Sequence, residues 1–268
     1  MRAVHRISRV CLIWVLLALT PLVTHATDFD RLTVISYHEI EEPSRALIPG
    51  YAVSPTMFVR HIDWLRNNGF VFVSVDQVLS ARSGGVPLPP KAVLLTFDDG
   101  YTSVYQHAWP LLKMLKIPSV ISVVTSWQES AGYVDYDGKP VPRDRFLSWE
   151  ALREMHSTGL VEIASHTHDL HHGLKANPQG SAQPAATARG FDQLRGYEAE
   201  TDYLKRIDAD LRLSRDLIRK RTGSAPRIVT WPYGKYNEMV ESTASKYGMN
   251  VGLTLDDGDN HAGVPLSR

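Results

Sequence analysis

Apolar residues recur along this chain in two alternating rhythms. Short β-branched or apolar runs that stop abruptly at polar residues predict strands, and stripes spaced three and four apart predict helices between them. Arg31 to His38, Phe70 to Val75, Lys91 to Phe97, Pro118 to Val124, Leu160 to Ala164, Arg227 to Trp231 and Asn250 to Leu255 are the seven predicted strands. A helix is predicted from Ser54 and Pro55, with Phe58, Ile62 and Leu65 as its apolar stripe and Asn67-Asn68-Gly69 as its end. A short helix follows from Asp76 to Ser83, and another from Thr102 to Lys116 carries a kink at Pro110. Ser148 and Gly159 bracket the next, Leu204, Ile207, Leu211 and Leu217 mark a long one from Glu198 to Arg221, and the last covers Asn237 to Tyr247. Residues 39–53 and 125–147 predict loops, the second holding Trp127, Tyr133 and Tyr136. The segment 173–197 has no periodicity and predicts a mobile surface insertion.

Strands alternating with helices predict a parallel sheet, and 268 residues suffice for one α/β barrel or for two small domains. In a parallel barrel, catalytic groups gather at the carboxyl ends of the strands. Four polar clusters occupy such ends here: His38, Asp98-Asp99, His166 to His172, and Tyr233. The carboxylate pair is the most demanding, because two charges at the mouth of a core strand suffer desolvation and mutual repulsion unless a cation or proton holds them. One Asp and two His supply oxygen and nitrogen ligands for a divalent ion such as Zn²⁺, Co²⁺ or Ni²⁺ and leave coordination positions open. Such an ion polarises a carbonyl and acidifies water. The remaining Asp is then free to take a proton from that water. The plainer reading is a helix-capping Asp beside a solvent-facing one, with the histidines as a surface cluster.

Composition narrows the setting. Formal charge is zero, so there is no basic footprint for nucleic acid. Arg2, Arg6 and Arg9 precede the apolar run Val10 to Leu19, and Thr24-His25-Ala26 offers small residues for cleavage, which reads as a secretory signal over residues 1–26. Without that segment, three of the 29 basic residues go and none of the 29 acidic ones, leaving a charge of −3. The single cysteine, Cys11, leaves with it, so a mature chain has neither a disulfide nor a thiolate metal site. A periplasmic protein with an oxygen- and nitrogen-liganded site is the expectation.

At this point the residues resemble a family. Thr96-Phe97-Asp98-Asp99 matches the first motif of the NodB-like polysaccharide deacetylases, carbohydrate esterase family 4. His166-Thr167 followed by a later His resembles their metal-binding motif, and Trp231-Pro232-Tyr233-Gly234 is similar to their third. The resemblance spans residues 31 to 255 and implies a deformed (β/α)7 barrel that removes N-acetyl groups from amino sugars. By position it implies Asp98 as general base, Asp99, His166 and His171 as metal ligands, and Tyr233 as a backbone N–H donor to an oxyanion hole. Its aromatic neighbours Trp231 and Trp127 are the implied ring-stacking residues, with buried packing as the commoner fate of Trp. His171 lies five residues after His166, a spacing similar to the PgaB/IcaB branch that acts on exported poly-β-1,6-N-acetyl-D-glucosamine. That makes His171 the implied ligand, with His168 and His172 as its rivals.

The match has gaps. Arg227 is the only arginine near the third motif, and the late Leu-x-His that supplies a general acid is missing after Leu253-Thr254-Leu255. Ile35-Ser36-Tyr37-His38 resembles the first strand of the same branch, so His38 is the implied acid, with His261 as competitor. Asp256-Asp257-Gly258 reads as a turn or a substrate-contact loop. The expected arrangement is a signal peptide, then a deacetylase domain over 27–268; Gram-negative members carry a glycoside-hydrolase-like domain beyond it, and the sequence reads either as the deacetylase part alone or as one cut short before that domain. The implied partners are the polymer and the outer-membrane export machinery. Competing readings are a deacetylase of peptidoglycan or chitin-like oligomers, and a sugar-binding module with a degraded site.

Overall fold

A computed structural model describes residues 32–256 together with Asn260 and Leu266. The signal segment with Cys11, the pair Asp257-Gly258 and His261 lie outside the described residues. No helix among those described is long and apolar enough to cross a membrane.

The strands of the main sheet are β1 (Thr33–Tyr37), β2 (Val71–Phe72), β3 (Ala92–Phe97), β4 (Ser119–Val123), β7 (Val161–Ser165), β12 (Ile228–Thr230) and β13 (Val251–Leu253). They run parallel in the order β1-β3-β4-β7-β12-β13, with β2 paired to the first residues of β3. All six residues of β3 and all five of β4 are buried, as strands covered on both faces must be. Among the described residues the ladder does not close between β1 and β13. Instead Asn260 Nδ2 donates to the Leu32 carbonyl at 2.7 Å, and Leu266 bridges to β13 through Leu266 N to Gly252 O at 2.7 Å. Leu32, Val34, Leu94, Val120, Ile228, Leu253 and Leu266 share one buried cluster, so apolar packing spans a gap that hydrogen bonds leave open. This is the deformed seven-stranded barrel expected.

Helices α1 (Pro55–Asn67), α2 (Val75–Arg82), α3 (Trp109–Leu115), α5 (Trp149–Ser157), α6 (Glu200–Thr222) and α7 (Glu238–Lys246) join these strands. Their starts follow local chemistry: Ser54, Ser148 and Asn237 each accept an N–H three residues on. The kink expected at Pro110 takes the form of a π turn over Val104–Ala108, with Pro110 in the first turn of α3. Its ring opposes the carbonyl four residues back, and a wider turn relieves the clash.

Two expectations need correction. Residues 125–147 are not a loop: they form α4 (Thr125–Glu129), an antiparallel hairpin of β5 (Tyr133–Tyr136) and β6 (Lys139–Pro142), and a 3₁₀ turn at Arg143–Arg145. Asp137-Gly138, both at positive φ, make the two-residue turn, and Asp-Gly between alternating residues is a strong hairpin signal. Likewise 173–197 holds two short hairpins, β8 (Gly173–Lys175) with β9 (Ala182–Pro184) and β10 (Phe191–Asp192) with β11 (Gly196–Tyr197). These strands are two or three residues long, too short for any hydrophobic period to register.

Candidate functional site

The four polar clusters lie directly after β1, β3, β7 and β12, at one end of the sheet. Asp98 continues from β3 with its N–H donating to the Tyr37 carbonyl at 2.8 Å. Asp99 then turns to φ 66°, a left-handed backbone that Asp tolerates better than most residues. That bend separates the two carboxylates. Both are almost fully buried, at 2% and 1% exposure.

His166 follows β7 and His171 follows five residues later. Asp99 Oδ1 lies 3.4 Å from Nε2 of each. This is longer than a charge-assisted hydrogen bond, which runs about 2.7–2.9 Å. It matches the edge of a tetrahedron with metal–ligand bonds of about 2.0–2.1 Å, which is about 3.4 Å. All three donor atoms lie within 4.8 Å of one another, and Asp99 Oδ1 is buried without a hydrogen bond. The residues therefore form a set able to hold a metal ion. His166 Nδ1 lies 2.7 Å from the Thr230 carbonyl. A carbonyl only accepts, so Nδ1 carries the proton and Nε2 keeps its lone pair for the cluster.

Burial and charge oppose one another across the cluster. Burial acts to raise the Asp99 carboxyl, but the imidazoles of His171 and then His166, with His38 behind them, outweigh it and hold it well below the usual carboxylate range. Burial lowers His171 despite Asp99. His166 goes the other way, because Asp99 and Asp98 overcome its burial.

The loop carrying these histidines is pinned on both sides. Thr125 and Ser126, opening α4, donate N–H groups to the carbonyls of Thr167 and His168 at 3.2 and 3.0 Å. From α6, the buried Asp210 accepts the N–H of His168 at 2.8 Å and of Asp169 at 2.7 Å. The rival histidines are thereby turned away: His168 Nδ1 contacts Thr125 Oγ1 at 2.9 Å, and His172, exposed, contacts the Gly173 carbonyl.

His38, the residue after β1, stacks on the exposed Tyr51 with ring centroids 5.2 Å apart. Tyr233 stands at φ 57° in the turn Pro232–Gly234. That turn's hydrogen bonds come from the N–H groups of Gly234 and Lys235, leaving the Tyr233 N–H out of them. The Tyr233 ring lies 4.9 Å from His171. A cavity of about 520 Å³ lined by Trp127, Asp135, Asp137, Asp169, His171 and His172 opens beside the cluster.

The structure places three further residues named from the sequence. Arg227, the arginine nearest the third motif, pairs with Glu162 at 2.9 Å and Asp76 at 2.6 Å, just before β12 and so at the opposite end of the strand from Tyr233. Trp231 is fully buried in the cluster with Ile207, Leu211 and Val240, so it offers no face to a sugar. Trp127 is 5% exposed, meets His171 edge-on at 5.0 Å and lines the cavity beside it. Sequence reasoning also missed Tyr136, whose hydroxyl donates to Asp99 Oδ2 at 3.3 Å. The Asp137-Gly138 turn signal beside it marks the hairpin that carries it.

A family model described as polysaccharide deacetylase matches residues 85–252. The chain is 36% identical over 233 residues to the poly-β-1,6-N-acetyl-D-glucosamine N-deacetylase of Escherichia coli (strain K12), a match covering 85% of this chain and 34% of that protein. It thus spans about a third of that relative's length. Two solved structures are similar. The BpsB deacetylase domain from Bordetella bronchiseptica is 41% identical with TM-score 0.78, over 88% of this chain and 92% of that one. A de-N-acetylase from Aggregatibacter actinomycetemcomitans is 36% identical with TM-score 0.81, over 87% and 91%.

Proposed function

Because the chain belongs to the polysaccharide deacetylase family, we propose that it is a metal-dependent N-deacetylase of poly-β-1,6-N-acetyl-D-glucosamine, exported to the periplasm by residues 1–26 and acting during biofilm polysaccharide export. One observation carries the reading: Asp99 Oδ1 lies equidistant from the Nε2 atoms of His166 and His171, with a second buried carboxylate, Asp98, next to it in the chain. The name of the Escherichia coli relative supports the substrate. The outer-membrane export machinery is the proposed partner, and residues 27–268 are the proposed deacetylase domain.

Asp99, His166 and His171 would hold a divalent cation such as Zn²⁺, Co²⁺ or Ni²⁺, which supplies a Lewis acid that polarises the acetyl carbonyl and acidifies water. Asp98 takes the proton from the attacking water. The water oxygen adds to the acetyl carbon, and the Tyr233 N–H donates to the developing oxyanion. His38 delivers a proton to the sugar nitrogen as the C–N bond breaks. Acetate leaves, and the polymer keeps a free amine.

The test is acetate release from poly-N-acetylglucosamine oligomers, with chitin oligomers and peptidoglycan in parallel. The expected result is activity on the first substrate that a chelator abolishes and added metal restores. Asp98→Asn should lower kcat by about 10²–10⁴ while metal still binds. Activity indifferent to both chelator and substitution overturns the mechanism. Greater activity on chitin oligomers or peptidoglycan overturns the substrate, and polymer binding without turnover favours a binding module.

A further inference from the structure

The β5–β6 hairpin touches the site at two points through consecutive residues. Tyr136, the last residue of β5, is buried, and its hydroxyl donates to Asp99 Oδ2 at 3.3 Å. Behind it, the buried Tyr101 hydroxyl donates to the Tyr136 oxygen at 3.2 Å. The next residue, Asp137, accepts from the Tyr233 hydroxyl at 3.1 Å. Packing fixes where this tip sits: the Tyr136 ring centroid lies 5.2 Å from Trp127, 6.3 Å from His171 and 6.4 Å from Phe146.

The two contacts do different work. A carboxylate has two oxygens and turns about its last bond. Tyr136 occupies Oδ2, so Oδ1 alone faces the two imidazole nitrogens. Groups that orient a ligand in this way are typically worth about 10- to 100-fold in metal affinity. Tyr233 is a non-glycine residue at positive φ, a conformation that persists only where the surroundings enforce it. Its ring hydroxyl, tied to Asp137, anchors the turn whose N–H the mechanism above assigns to the oxyanion.

We propose that the hairpin tip is the positioning element of the site, with Tyr136 orienting the Asp99 carboxylate toward the metal and Asp137 holding the Tyr233 turn in place. This inference rests on the metal-hydrolase reading above.

Zinc affinity, measured on the whole chain by competition with a chromophoric chelator, separates the two roles from each other and from that reading. Tyr136→Phe removes one oxygen from a buried ring and should raise the zinc Kd about 10- to 100-fold, with metal-free circular dichroism unchanged. Asp137→Ala should leave the zinc Kd alone and lower kcat at saturating zinc by about 10- to 100-fold with little change in KM. Asp137 is exposed in its turn, so its variants fold. Asp137→Asn keeps an acceptor oxygen and tolerates positive φ, and should restore kcat. Wild-type zinc affinity in Tyr136→Phe, undiminished kcat in Asp137→Ala, or no rescue by Asn overturns the inference. A wild-type chain that binds no zinc, cobalt or nickel overturns the underlying reading and takes this one with it.

Discussion

Gly234 links the fold to the chemistry in a way that a single methyl group can probe. It sits at φ 66°, next to Tyr233, and a Cβ placed there would lie 2.5 Å from Leu255 Cβ and 2.6 Å from the Leu255 backbone nitrogen. Ordinary carbon contacts begin at about 3.5 Å, so Gly234→Ala forces backbone to move by about 1 Å. Gly248 is the control, with φ 84° and nothing within 4 Å of an added Cβ. An alanine at positive φ costs about 1–2 kcal/mol, partly offset by about 0.4–1 kcal/mol from a less flexible unfolded chain. Gly248→Ala should therefore lose about 0.5–1 kcal/mol of stability. Gly234→Ala carries the same backbone term plus overpacking of about 1–3 kcal/mol, and should lose about 2–4 kcal/mol. Because the shifted residue adjoins Tyr233, kcat should fall about 100-fold, while Gly248→Ala keeps it. Urea unfolding with linear extrapolation gives the stabilities, and acetate release gives kcat. Equal losses of stability in the two variants would refute the steric argument. A destabilised Gly234→Ala with full kcat would refute the placing of this turn in the site.

Two further outcomes are expected. Asp210 is pushed up from 3.8 to about 6, chiefly by burial, against the His168 and Asp169 N–H groups that it accepts. The folded chain therefore holds a proton that the unfolded chain has released, so this contribution to stability is full below about pH 4 and is lost as pH rises through about 6. The swing is about 3 kcal/mol. Urea unfolding across that window should show the decline in wild type and a flatter profile in Asp210→Asn; parallel profiles would refute it. Arg227→Ala breaks pairs that are partly exposed, at 40% for the arginine side chain. It should cost about 0.5–1 kcal/mol and leave kcat untouched, and a large loss of kcat would return Arg227 to the active site.

Much of the architecture was legible locally. The Lys91 to Phe97 run announced a core strand because its residues are apolar on both faces, and the adjacent Asp98-Asp99 announced chemistry because charge at such a place is costly. Ser54, Ser148 and Asn237 marked helix starts through a bond only three residues long. Residues 173–197 escaped, because two- and three-residue strands leave no period. The β5–β6 hairpin did have a signal in Asp137-Gly138, but alternation over four residues is easily outweighed by the charges and prolines around it.

The candidate site divides along the same line. By itself, the sequence determined the strands of the main sheet, the helices between them and the residue types at each strand end, since these follow from propensity, periodicity and caps within a few positions. Only the tertiary structure decided which of His168, His171 and His172 joins Asp99 and His166, because Asp210 and α4 orient that loop from about 40 residues on either side. It also decided that Arg227 belongs to an ion pair with Asp76, 151 positions away in the chain, and that Trp231 is core. Tyr136 reaches Asp99 across 37 positions and Asp137 reaches Tyr233 across 96. Contacts of that range depend on how the whole barrel closes, and no local pattern of hydrophobic and polar residues encodes them.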